Sequence, residues 1–188
     1  MVIWSAMRHH PIRRRSVLVP LLGLVLLAAC SGDPVASGES LIEDEIEAQI
    51  GLGELEAACE DPSSEEVGST FGCTATTPAG DVIDFTVEFD SEDEIFVFPT
   101  NVVAAEELVL IEEEAAQVLS PEVGATIDPS DVDCGEVSIV LDDDGVMSCV
   151  ITDSANGDRY ELEATFTNHE RGTGFFNRDY LIVGLLDG

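Results

Sequence analysis

Two cysteine pairs, nearly equal in spacing and followed by nearly the same text, constrain this chain most. Cys59 and Cys73 are 14 positions apart; Cys134 and Cys149 are 15 apart. "CTATTPAGD" (73–81) and "CVITDSANGD" (149–158) each run from a cysteine to a Gly-Asp turn. Each Gly-Asp opens an alternating segment, "VIDFTVEF" (82–89) and "RYELEATF" (159–166). In alignment Ile83 meets Tyr160, Phe85 meets Leu162, Val87 meets Ala164 and Phe89 meets Phe166. A period of two over eight residues marks a half-buried strand. Its recurrence in register points to two copies of one unit.

A helical pattern precedes each pair. In "SLIEDEIEAQI" (40–50), Ser40 and Glu43 have capping-box spacing, Ile42, Ile46 and Ile50 share one face, and Gly51 ends the run. The second helix is expected over roughly 102–119, with Leu108, Ile111, Ala115 and Val118 facing inward and Ser120-Pro121 as its stop. Acid runs such as Glu112–Glu114 read as solvated faces. Strands are expected near 70–76, 82–89 and 94–98 in the first copy. In the second they fall near 136–141, 146–152, 159–168 and 176–184. The predicted fold is α+β: two tandem repeats, 40–99 and 100–186, each one helix packed on a three- or four-stranded antiparallel sheet.

Units this small carry marginal cores and usually need a staple. Four cysteines allow three pairings. The repeat favours Cys59–Cys73 and Cys134–Cys149, one bond per unit. A loop of about 15 residues contributes about 3 kcal/mol by chain entropy. A four-thiolate zinc site would want tight Cys-x-x-Cys knuckles, which this spacing lacks.

The fifth cysteine, Cys30, ends an apolar run. Residues 1–15 hold four arginines and no acid, and "SVLVPLLGLVLLAA" (16–29) is short for a bilayer span, which needs about 20 apolar residues. That is the plan of a secretory signal peptide over 1–29. Leu27-Ala28-Ala29-Cys30 resembles the bacterial lipobox, which implies cleavage before Cys30 and lipid on its thiol. "SGDPVASGES" (31–40) has no apolar periodicity, so 30–39 reads as a lipidated flexible tether. "RRSVL" (14–18) also fits twin-arginine export. Any signal peptide places positive charge there, however, and disulfides favour export of an unfolded chain.

From residue 30 onward, 39 acids against three arginines leave a formal charge of −36, with no lysine in the chain. Phosphate contacts need clustered Lys and Arg, so nucleic acid is not the expected partner. Anionic lipid repels such a surface, so the membrane must be held through Cys30. Helix, then "VDC" (132–134), then a second cysteine opening a strand, behind a lipobox, resembles the actinobacterial secreted domain known as domain of unknown function 4333. The first copy has "AAC" in place of "VDC". The resemblance covers about 40–98 and 102–184. It implies an envelope lipoprotein and assigns no chemistry.

The inventory for catalysis is thin. After residue 30 the one histidine is His169, in the turn-like "NHERGTG", and there is no Gly-x-Ser-x-Gly elbow or phosphate loop. "LDDDG" (141–145) and "DSEDE" (90–94) are rich in oxygen ligands. With Gly145 at position six of an EF-hand, however, positions one and twelve are Val140 and Ile151. No metal site and no cofactor are assigned. Arg159, His169, Arg171 and Arg178 fall within 20 residues, beside Phe175, Phe176 and Tyr180. This segment is a candidate partner contact. The alternative pairs its arginines with Glu161, Glu163, Glu170 and Asp179 and sets its aromatics in the core. The sequence thus predicts a lipoprotein on the outer face of the cytoplasmic membrane with a non-catalytic binding or scaffolding role, and an envelope protein as its partner. The alternatives are a secreted-type protein inhibitor, by analogy with the tandem units of the secreted β-lactamase inhibitor, and a weak cation-binding surface protein. A carboxylate-dependent envelope enzyme comes last.

Overall fold

In the computed structural model, which describes residues 26–29, 32–170 and 174–186, with side chains over 32–167 and 178–186, the first helix starts at Pro34. Segment α1 (Pro34–Leu41), a π-helical turn (Ile42–Ile46) and α2 (Glu47–Ile50) run on without a break. Asp33 is the N-cap: its Oδ1 accepts the Val35 N–H at 3.0 Å, and Pro34 occupies the first turn, where no N–H is needed. Helix therefore replaces most of the tether expected over 30–39, and the Ser40–Glu43 box does not form. Ser40 Oγ donates to Asp44 Oδ2 at 2.8 Å instead. The apolar pattern missed this turn because its inward position is Gly38, where an added Cβ would stand 3.3 Å from Cys59 Sγ. Ile42, Ile46 and Ile50 are buried as expected, and Gly51 ends the helix at φ 72°.

The sheet that follows is antiparallel in the order β1-β5-β4-β3-β2. Its strands are β1 (Leu26–Ala29), β2 (Glu56–Cys59), β3 (Thr70–Thr76), β4 (Val82–Phe89) and β5 (Glu94–Pro99). Two were not foreseen. "EAAC" lacks the branched and aromatic residues that mark strands, and "LLAA" reads as part of the signal core. The alternation of β4 is as predicted, with Ile83, Phe85, Val87 and Phe89 all buried.

Val102 and Val103 form strand β6, so α3 (Ala105–Val123) begins later than expected. Its inner stripe is Leu108, Ile111, Ala115, Ala116 and Leu119. Val118, expected inside, is 42% exposed, because 3.6 residues per turn carry the stripe on to Leu119. Pro121 lies within the last turn, and the helix runs on to Gly124 at φ 71°. Ser120 Oγ donates to the Ala116 carbonyl (2.6 Å) and accepts the Ile127 N–H (2.9 Å). The second sheet is antiparallel, β11-β10-β9-β7, built from β7 (Val132–Asp133), β9 (Val146–Thr152), β10 (Arg159–Glu170) and β11 (Gly174–Leu185).

The strand expected over 136–141 contracts to β8 (Ile139–Val140) and leaves this sheet to pair with β6, Val102↔Val140 and Val103↔Ile139. Alternation then splits the ribbon between two cores. Val102 and Val140 pack into the cluster of the first sheet; Val103 and Ile139 pack into that of the second. Asn101 bonds both sides, its Nδ2 donating to the Val82 carbonyl (3.0 Å) and its backbone carbonyl accepting the Leu141 N–H (2.7 Å). The buried Ser138 hydroxyl donates to the Ile50 carbonyl (2.7 Å) and accepts the Ala105 N–H (3.2 Å). The end of the first helix, the start of the second and the ribbon thus meet at one side chain.

Candidate functional site

Both cysteine pairs are disulfides, Cys59–Cys73 and Cys134–Cys149, with Cα separations of 4.0 and 4.3 Å. Register explains the pairing. Cys59 and Cys73 stand directly opposite on β2 and β3. Continuing Val132↔Ile151 and Asp133↔Val150 brings Cys134 opposite Cys149.

The acids of the first helix have a structural use that the sequence did not reveal. Glu39 Oε1 accepts the Cys59 N–H (3.1 Å), Glu43 Oε1 that of Ala57 (2.9 Å) and Glu47 Oε2 that of Leu55 (2.9 Å). Four helical residues rise about 6.0 Å and two strand residues about 6.8 Å, so glutamates every fourth position match amides every second. The helix and β2 run in opposite directions, and the three bonds close the hydrogen-bonding edge of the strand. At the matching place in the second half, Glu112 Oε1 accepts the Cys134 N–H at 3.0 Å.

A second cluster joins α3 to β11. Arg178 Nη1 donates to Glu114 Oε2 at 2.7 Å, and the Tyr180 hydroxyl donates to the same oxygen at 3.1 Å. Glu107, two turns before Glu114, accepts the Ala104 N–H on Oε2 (3.2 Å) and so caps α3. Burial pushes the Glu107 carboxyl above its ordinary value; the Ala104 bond and the Arg178 charge oppose this, and Glu106 adds to it. Burial, with the adjoining Glu114 carboxylate, pushes the Tyr180 phenol well above its usual value. Arg178 Nε is buried with no hydrogen-bond partner among the described residues. Glu112 and Glu114, expected as a solvated face, are therefore bound to a backbone amide and to a cation.

Of the predicted contact residues, Arg159 and Arg178 have described side chains. Arg178 turns inward onto α3, with 19% of its side chain exposed. Its partner Glu114 lies 64 positions away and is none of the four acids expected. Asp179 is adjacent in sequence, but neighbours on a strand point to opposite faces. Arg159 is exposed at the start of β10, and its carbonyl accepts the Leu186 N–H at 2.7 Å. His169 pairs in register with Phe175 on β11, and Phe176 follows on the same strand; the side chains of all three lie outside those described. Arg171 and Cys30 lie outside the described residues. On β11, Tyr180 and Ile182 pack toward the core. Leu181 (62% exposed) and Val183 (49%) are exposed on the other face; a register shift opposite Glu161 and Leu162 then sets Leu185 (54%) beside Tyr160, on the side of Leu162 and not of Leu181.

Two shallow depressions lie in the first half of the chain. One, of about 370 Å³, runs along the start of the first helix and is lined by Asp33, Asp44 and Glu45 around Ser40. The other, of about 390 Å³, lies over the first disulfide beside Glu60, Asp84 and Phe85. Among the described residues no three His, Cys, Asp or Glu side chains are grouped to hold a metal ion, and no helix is long and apolar enough to cross a membrane. No family model, curated protein or solved structure matches the chain.

Proposed function

We propose that this chain is an envelope lipoprotein, cut before Cys30 and held by lipid on that thiol, whose two halves are copies of one disulfide-stapled helix-and-sheet module with a non-catalytic binding or scaffolding role. The observation that carries the binding reading is the exposed row of Leu181 and Val183, with Leu185 exposed beyond the bulge. Three large apolar side chains stand exposed along one strand, two of them on one face, in a protein with 39 acids. Such a row is a liability unless something covers it. The commitment of Glu39, Glu43, Glu47, Glu112 and Glu114 to backbone and cation partners supports a structural use of the acids. Matching bonds from Glu39 to Cys59 and from Glu112 to Cys134 support the duplication and keep the likeness to domain of unknown function 4333 a proposal.

Intact-mass analysis of the membrane fraction tests the anchor. A chain beginning at Cys30 and carrying lipid is expected, and Cys30→Ser should move the protein to the soluble fraction. A full-length chain with unmodified Cys30 contradicts it. Crosslinking in cells, wild type against Leu181→Glu plus Val183→Glu, tests the binding role: adducts should be lost in the variant at unchanged protein level.

A further inference from the structure

The two edges of the first sheet are treated differently. The β2 edge is closed by three glutamates from the helix. The β5 edge is closed by another strand: Leu26–Ala29 pairs with it antiparallel, Leu26↔Val97, Leu27↔Phe96, Ala28↔Ile95 and Ala29↔Glu94. Those four residues are the last before Cys30. If the chain is cut there, as proposed above, the strand that fills this edge leaves with the signal peptide. We infer that cleavage opens the β5 edge, which then takes up an extended apolar segment of a partner polypeptide as an added antiparallel strand.

The chain itself shows what fits, since an apolar stretch with small residues at its end occupies the edge in continuous register. The strand left behind is "EIFVFP". Ile95 and Val97 face the core, Phe96 is 2% exposed on the other face, and the Phe96 and Phe98 rings meet at a tilt with centroids 5.5 Å apart. Between Glu94 and Pro99 the strand carries no charge, proline or bulge, so its middle lacks the usual guards against pairing and would not be left bare. Charge sets the partner's polarity. The C-terminal end of the added strand, where Ala29 lies, meets Glu94 and the turn Asp90-Ser91-Glu92-Asp93. A segment with basic residues after its apolar part complements those acids. A second copy fits poorly, because each processed chain carries −36. Residues 30–33 reach at most about 13 Å, so the edge lies close to the lipid, within range of a partner held at the membrane.

The inference rests on cleavage before Cys30, and the experiment separates the two. Protein is purified from membranes in detergent, and its mass establishes the N-terminus. A labelled peptide with the sequence of residues 24–29, LVLLAA, followed by two arginines is then titrated by fluorescence anisotropy. Saturable binding is expected, weakened about tenfold or more when glutamates replace the arginines at low salt. Methylating alternate backbone amides should abolish binding for one set and spare it for the other, since only one set faces the sheet edge. The amides of Ile95 and Val97, which face the open edge, should gain hydrogen-exchange protection when the peptide binds, while Glu94 and Phe96 face β4. A processed chain that fails to bind, that binds both methylated peptides equally, or whose Ile95 and Val97 amides are already protected in a dimer overturns strand addition alone. A chain that retains residues 1–29 overturns the processing reading, and with it the opening of the edge.

Discussion

The two halves of the molecule staple the same place by the same bond and support it to different extents. In the first, β2 is four residues long; its edge amides at 57 and 59, and that of Leu55 just before it, are held by Glu43, Glu39 and Glu47. In the second, β7 is two residues long and a single carboxylate, Glu112, reaches Cys134. The second half places its other acids elsewhere, in the Arg178, Tyr180 and Glu107 cluster that ties α3 to the far strand. A helix laid antiparallel to an edge strand can close it with a glutamate ladder; a helix that meets only its end cannot. In an acidic chain, the position of a glutamate along the helix decides whether it is solvent-facing or part of the frame.

The largest expected effect comes from the disulfides. Their loops differ by one residue, so Cys59→Ala plus Cys73→Ala and Cys134→Ala plus Cys149→Ala should each lower global stability by about 3 kcal/mol in denaturant titrations. The comparison appears in local opening. Amides of β7 should lose protection when the second bond goes, while those of β2 keep much of theirs through the ladder. Equal loss in both would remove the distinction.

Next is Gly145, in the turn before β9. Its φ is 66°, and an added Cβ would stand 2.7 Å from the Phe166 carbonyl oxygen. Gly145→Ala should cost about 2 kcal/mol or more, read as a lower midpoint. Ser138→Ala leaves the Ile50 carbonyl and the Ala105 N–H unsatisfied where the halves join, a loss of about 1–3 kcal/mol. If that variant unfolds in two separate transitions, Ser138 couples the halves as well as filling the joint.

The cores were largely legible in the sequence, and the uses of the acids were not. The inner positions of β4 stand in the period of two, and Ile42, Ile46 and Ile50 in the helical period, because burial imprints hydrophobicity. The glutamates at 39, 43 and 47 also follow a period, of four. It could not be read as a ladder until β2 was known to lie alongside, and "EAAC" carries no strand signal. The helix start at Pro34 was readable from Asp33-Pro34, the N-cap and first-turn pair, and was missed for want of apolar residues. The Arg178–Glu114 bond spans 64 positions, so only the packing of α3 on the sheet reveals it.

The smallest expected effect is on pH dependence. Burial raises the folded-state value of Glu107, so its contribution to stability is fully present below the ordinary carboxylate value and is lost as pH rises through the raised one. Glu107→Gln keeps an acceptor for the Ala104 N–H and removes the titration. The variant should therefore lose less stability than the wild type as pH rises from the acid side to neutrality. An unchanged slope would show that Arg178 already neutralises the carboxylate.

The glutamate ladder is tested most directly by residue-resolved hydrogen exchange at neutral pH on the wild type and on Glu39→Ala, Glu43→Ala and Glu47→Ala, each alone. One-to-one loss is predicted: protection falls at Cys59 in the first, at Ala57 in the second and at Leu55 in the third, with Cys134 unaffected in all. Protection at those amides that is indifferent to the three substitutions, or lost equally at all three sites in every variant, would contradict it.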